Sequence, residues 1–139
     1  MICDKLHLCP DMIQLVFSQK DINHILLITD AMRAAGMPDG ESSLGGLPVI
    51  VKDGAARLAS NGALAGSTLQ VCDALRNVYE ITGLPLEQLV RTTSLNQANS
   101  LGLTGLGRLE AGYSADIVIL NDKFKVQKTF VDGELRYEA

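Results

Sequence analysis

Tryptophan is absent from these 139 residues, and aromatic side chains make up only 4% of them. A core built from this chain is therefore aliphatic. Cysteine occurs three times, as Cys3, Cys9 and Cys72, with no Cys-x-x-Cys spacing. That odd number and wide spacing suit reduced thiols in a cytoplasmic protein better than a disulfide framework or a thiolate zinc site. Charge of one sign never clusters. Twelve Lys and Arg stand against sixteen Asp and Glu, a net charge of -4, so nucleic acid is not an expected partner. Hydrophobic residues reach 47%, yet no run approaches the ~18 residues of a membrane span, and no membrane partner is expected. Met1 leads into Cys3, Asp4 and Lys5, which is not the pattern of a secretory leader. No internal repeat or low-complexity run is present. The length fits one ordinary domain or a piece of a larger protein. An apolar, aromatic-poor chain of this size is expected to bury surface against something beyond itself, and a homo-oligomer is the simplest partner.

What is present is organised around residues 25–30, Ile-Leu-Leu-Ile-Thr-Asp. Four aliphatic residues without alternation predict a strand over 24–29, buried on both faces as in parallel sheets. Asp30 then falls at the carboxyl edge of that strand, where α/β proteins gather their ligands. A plain turn role for Asp30 stands beside the catalytic one, since Asp opens many loops. Upstream, Pro10 and Asp11 open a helix predicted over 10–20, with Met12, Ile13, Val16 and Phe17 at helical spacing. Strand, helix and strand make a βαβ unit, which puts His7 on the same edge as Asp30. His24, at the other end of its strand, reads as structural.

Past a long loop rich in Ala and Gly, residues 47–51 and 55–58 flank Lys52-Asp53-Gly54, a strong hairpin signal. The hairpin is expected to cover the strand edge as a flap. A helix over 68–82 is predicted next, capped by Ser67 or Thr68, with Leu69, Cys72, Leu75 or Arg76, and Tyr79 on its largely apolar stripe and Gly83 at its end. A further helix over 85–92 would have Pro85 in its first turn and Leu86, Leu89 and Val90 inward. Ser94 and Gln97 have capping-box spacing for a last helix over 94–101, closed by Gly102. Beyond residue 105 only strands are expected, over 116–120 and in a hairpin turning at Asp132-Gly133. The reading divides the chain into 1–105 and a small β element over 106–139, packed apart.

Several short motifs recur together in this order: Asp4-Lys5-Leu6-His7, Leu27-Ile28-Thr29-Asp30-Ala31, Ala34-Ala35-Gly36, Leu64-Ala65-Gly66-Ser67 and Gly112-Tyr113-Ser114-Ala115-Asp116. With them the chain resembles the carboxyl-terminal part of the N-acetylglucosamine-6-phosphate deacetylases, a family of the amidohydrolase superfamily. Two departures stand out. Lys5 occupies a position where glycine is usual, and Gln97 one where proline is common.

The resemblance implies an α/β fold: the last portion of a TIM (β/α)8 barrel over 1–105, not a complete barrel, then β-sandwich strands over 106–139. It implies hydrolysis of the acetamide of N-acetylglucosamine 6-phosphate, with Asp30 catalytic as the proton acceptor. Asp4, Lys5, Leu6, His7, Leu64, Ala65 and Gly66 would contact the substrate. The complete enzyme would use a divalent metal held by a glutamate and two histidines upstream. No metal is expected on this chain alone, which has only His7 and His24 and no His-x-His. Two alternatives stay open: another metal-dependent amidohydrolase acting on cyclic amides, or a non-catalytic truncated fragment that self-associates.

Overall fold

A computed structural model describes residues 1–139. Helix α1 (Pro10–Gln19) begins where Pro10 takes the first turn, a place where its missing N–H has no helical partner to lose. Asp11 adds a negative charge beside the exposed N–H groups of that turn. Ile13 and Phe17, one helical turn apart, are its buried face. Here the sequence reading holds to within a residue.

The expected strand over 24–29 is corrected. Residues 22–24 form a 3-10 turn whose cap, Asp21, accepts the Asn23 N–H. The chain then runs extended but joins no ladder. Its bonds are nonetheless those of parallel pairing. Ile28 N–H donates to Met1 O at 3.0 Å, and the Met1 amino group donates to Leu26 O at 2.5 Å. Further on, Ser67 N–H donates to Asp30 O at 3.0 Å and Met32 N–H to Ser67 O at 2.8 Å. Each pair is a single rung. Nor is the run buried on both faces: Ile25 and Leu27 are buried while Ile28 is 49% exposed.

Strands β1 (Gly40–Leu44), β2 (Leu47–Lys52) and β3 (Ala55–Leu58) form an antiparallel sheet in that order. The β2–β3 turn is the predicted one, with Asp53 and Gly54 both at positive φ, 50° and 71°. Strand β1 lies inside the segment read as a loop. Its turn onto β2 is Gly45-Gly46, at φ 57° and 82°, a glycine pair that suits a two-residue hairpin. Val49, Val51 and Ala56 face a small core with Met32, Ala34 and Ala65.

Helix α2 (Val71–Thr82) starts later than expected, and its cap Gln70 makes no side-chain bond. The predicted caps are engaged elsewhere: Ser67 Oγ accepts the Leu69 N–H at 2.8 Å, and Thr68 Oγ1 donates to the Gly54 carbonyl. Its buried face is Ala74, Leu75, Asn77 and Val78, while Tyr79, expected inward, is 42% exposed. Gly83 closes it in the left-handed region as predicted. Helix α3 (Leu86–Leu89) is a single turn running into a 3-10 stretch over Val90–Thr93. Pro85 caps it instead of entering its first turn, and of the three residues expected inward only Leu89 is buried. Helix α4 (Leu95–Ser100) has no side-chain cap at Ser94. The capping box does not form, because Gln97 turns its amide to Leu27 O and Thr92 O. Gly102, at φ 68°, ends α4 as predicted.

Strands β4 (Ile117–Leu120), β5 (Val126–Val131) and β6 (Glu134–Glu138) make a second antiparallel sheet. Its hairpin turns at Asp132-Gly133, again with both residues at positive φ. Leu120 and Phe124 pack against the larger core, in which α1, α2, Leu89 and the run at Ile25 and Leu27 meet. The architecture is thus α/β with two three-stranded antiparallel sheets and no closed barrel. No helix is long and apolar enough to cross a membrane.

Candidate active site

Two single rungs set the level of the site. Met1 pairs in parallel beside Leu27, and Ser67 beside Ala31. Carried forward along both segments, the first register brings Asp4 level with Asp30. The second places Gly66 and Ser67 there too. By that residue count Asp4, Asp30 and the 64–66 loop fall toward one edge, the carboxyl edge of parallel segments.

Asp4 organises its own loop. Its Oδ1 accepts the N–H groups of Leu6 (2.9 Å) and His7 (2.8 Å), and its Oδ2 faces His7 Nδ1 at 2.7 Å. A carboxylate can only accept, so Nδ1 carries the proton and Nε2 is left for a ligand. The Asp4 side chain is only 9% exposed. Burial opposes its ionisation, but the bonds from His7 and Leu6 outweigh that and hold its carboxyl below the usual range. Below this loop, buried Asn77 donates to Cys3 O at 2.9 Å and ties it to α2. Burial also pushes the Cys3 thiol up to about 11, so it is an inert core group. Leu6 is 46% exposed and touches the loop through its backbone.

Lys5, standing where its resemblance favours glycine, adopts φ 67°. That is the left-handed region, which costs an L-residue roughly 1–2 kcal/mol. Its ammonium reaches Glu80 at 3.3 Å, with both side chains substantially exposed. Such a pair contributes little. Lys5→Gly is therefore expected to raise stability by about 0.5–1 kcal/mol, after the backbone entropy of glycine is subtracted. Urea unfolding of both proteins checks this; a lower midpoint for the glycine variant would mean that the lysine contacts outweigh the strain.

Asp30 also sits in the left-handed region, at φ 50°, with its side chain exposed. Its carbonyl is held by Ser67 N–H, so the backbone is fixed while the carboxylate faces solvent. Gly66, at φ 72°, makes this approach possible: a Cβ there would lie 2.9 Å from Met32 Cβ. Leu64 is bridged to Arg57, and Ala65 N–H donates to Ala56 O at 3.0 Å. The first sheet thus continues into the 64–66 loop. Its hairpin tip is fastened as well, since Asp39 accepts the Asp53 N–H and Thr68 holds Gly54. The expected flap is a wall built against the site. Sequence reading treated Ser67 as a helix cap, whereas it is the buried residue (3% exposed) that joins the loop to the Asp30 run. His24, exposed beyond the far end of that run, is not part of this edge.

The profile of the amidohydrolase family matches residues 24–136. An N-acetylglucosamine-6-phosphate deacetylase of Lysinibacillus sphaericus is 43% identical over the whole of this chain, which covers 36% of that protein. An N-acetylgalactosamine-6-phosphate deacetylase of Escherichia coli O157:H7 is 46% identical over 80% of this chain and 29% of its own length. An aspartate-to-alanine mutant of the Mycobacterium smegmatis N-acetyl-D-glucosamine-6-phosphate deacetylase has been solved in complex with N-acetyl-D-glucosamine-6-phosphate. It superposes with a TM-score of 0.90 at 36% identity, over 97% of this chain and 36% of that one. The chain spans about a third of the length of these relatives. With the family profile matching most of its length and its fold superposing on a solved deacetylase, this chain belongs to the amidohydrolase family.

Proposed function

We propose that this chain is the carboxyl-terminal part of an N-acetylglucosamine-6-phosphate deacetylase, supplying the last barrel segments over 1–105 and β-sandwich strands over 106–139. The observation that carries the reading is the shared level of Asp4, Asp30 and the 64–66 loop, within a chain whose whole length matches a deacetylase. The Asp30 carboxylate takes a proton from the attacking water and returns it to the amine nitrogen as the C–N bond breaks, leaving acetate and glucosamine 6-phosphate. His7, oriented by Asp4, offers Nε2 to the sugar phosphate. Lys5 and Leu6 border that contact, and the backbone of Leu64, Ala65 and Gly66 lies along the sugar. Amidohydrolases generally use a divalent metal. No three His, Cys, Asp or Glu side chains converge in this structure. The residues present therefore do not make a metal site by themselves.

The test joins residues 1–139 to the remainder of the Lysinibacillus sphaericus relative and assays acetate release. The graft should hydrolyse N-acetylglucosamine 6-phosphate, and the chain alone should not. Activity confined to the galactosamine epimer would transfer the reading to that sugar, and activity confined to a cyclic amide would move it to another branch of the family. Turnover by the purified chain alone would overturn the division of labour proposed here.

A second reading, a self-associating chain without activity, is favoured by one observation. Only 21 of the 139 residues are buried, while Leu101 (73%), Leu109 (80%) and Met37 (64%) stand exposed. In this reading the chain is a homo-oligomer that covers its apolar surface with a second copy. Light scattering of the isolated chain tests it, a monomer ruling it out.

A further inference from the structure

The run that carries Asp30 meets backbone on one edge and side chains on the other. In an extended chain alternate residues share an edge. Leu26 and Ile28 bond Met1 on one side, which turns Ile25 and Leu27 to the opposite side. No strand lies there. Instead Asn96 of α4, 2% exposed, donates through Nδ2 to Ile22 O at 2.7 Å and Ile25 O at 2.8 Å. Gln97 donates through Nε2 to Leu27 O at 2.9 Å and to Thr92 O at 2.6 Å. Thr92 O in turn accepts the Leu27 N–H at 2.8 Å. Two carboxamides and one carbonyl thus satisfy the edge that a neighbouring strand would otherwise pair.

The orientation of these amides is not set by their oxygens. Asn96 Oδ1 and Gln97 Oε1 are buried without a partner, which is costly for a polar atom. The donor side therefore governs both side chains. A one-residue slip of the run would turn the Ile25 and Leu27 carbonyls away from them and take Asp30 off the level of Ser67.

We propose that Asn96, seconded by Gln97, is a positioning residue for Asp30. The amide pair fixes the register of the extended run, and with it the place of the Asp30 carboxylate against the 64–66 loop. The holding rests on the hydrogen bonds alone; its effect on catalysis rests on the deacetylase reading above. Asn96 leads because it is the more buried and holds two carbonyls of the run and its entry, against one for Gln97.

Amide hydrogen exchange on the full chain, compared with Asn96→Leu and Gln97→Met, tests the holding. The Met32 and Ser67 N–H groups, which form the rung beside Asp30, should exchange about tenfold faster in Asn96→Leu and less so in Gln97→Met. The Val78 and Tyr79 N–H groups within α2 should stay unchanged. Acceleration of all four in step would mean general destabilisation and would overturn the proposal, as would unchanged exchange at Met32 and Ser67. If Asn96→Leu does not fold, Gln97→Met decides by the same comparison. In the active graft, both substitutions should lower kcat with KM within about twofold; unchanged kcat alongside faster local exchange would overturn the positioning role. A graft with no activity at all overturns the deacetylase reading and leaves the exchange result to judge the holding.

Discussion

Asp30→Asn in the grafted enzyme should lower kcat by about 10²–10⁴, the range of general acid–base groups, or roughly 3–5 kcal/mol of transition-state stabilisation. The substitution isolates proton transfer because everything else about the position survives. Asn tolerates the left-handed backbone nearly as well as Asp, so the φ of 50° is kept. The Ser67 N–H donates to the carbonyl of residue 30 and not to its side chain, so that rung is kept too. The exposed carboxylate leaves no buried partner unpaired when it is replaced. What is lost is an oxygen able to take a proton from water. If Asp30 only opened a turn, Asn would serve as well and turnover would stay near normal. The measurement is kcat and KM of the two grafts with their metal content compared. Near-normal turnover at equal metal content would remove the catalytic role from Asp30.

Gly107→Ala should cause the largest loss of stability of any glycine replacement in this chain. A Cβ at Gly107 would lie 2.7 Å from Leu95 Cα, 2.8 Å from Leu95 N and 3.1 Å from the Ser94 carbonyl carbon. All three atoms are backbone, at the start of α4, and no rotamer change can move them aside. The φ of 81° adds left-handed strain of roughly 1–2 kcal/mol, and overpacking typically costs another 1–3 kcal/mol. The sum is about 2–5 kcal/mol, on the order of 10 °C in Tm for a domain of this size. Gly36 provides the control. Its φ is 79° with nothing within 4 Å of a built Cβ, so Gly36→Ala should show the strain without the clash. Equal melting temperatures for the two variants would show that α4 shifts to make room, and that the loop after Gly102 is not closely seated on it.

The elements legible in the sequence are those whose causes lie within a few residues. Pro10 and Asp11 start α1, Gly83 and Gly102 end helices, and Asp53-Gly54 and Asp132-Gly133 turn hairpins. Each is a local backbone preference, and each sits where expected to within a residue or two. The misreadings have distant causes. Gln97 has capping-box spacing three residues past Ser94, but its amide bonds Leu27, 70 positions away. Thr68 looks like a cap for α2, but its hydroxyl reaches the turn at Gly54. A side chain with two possible partners goes to the one the tertiary fold presents, and the spacing of nearby residues carries no trace of that choice. Strand β1 is illegible for another reason: Gly40–Leu44 is too polar and too exposed to show alternation, and it is a strand because β2 pairs with it.

The candidate site divides the same way. Residue types and order, with Asp4 and His7 in one loop, Asp30 closing an aliphatic run and a small-residue loop over 64–66, were set by the sequence and suffice to point to the amidohydrolases. The tertiary structure alone decided that the Asp30 run would be held by single parallel rungs and two buried amides instead of a ladder, and that the hairpin beside it would be a fastened wall. The reason is physical. Turns and helix ends are governed by backbone torsions that each residue brings with it. The level of one segment against another is governed by hydrogen bonds between groups far apart in the chain, and those partners exist only once the chain has folded.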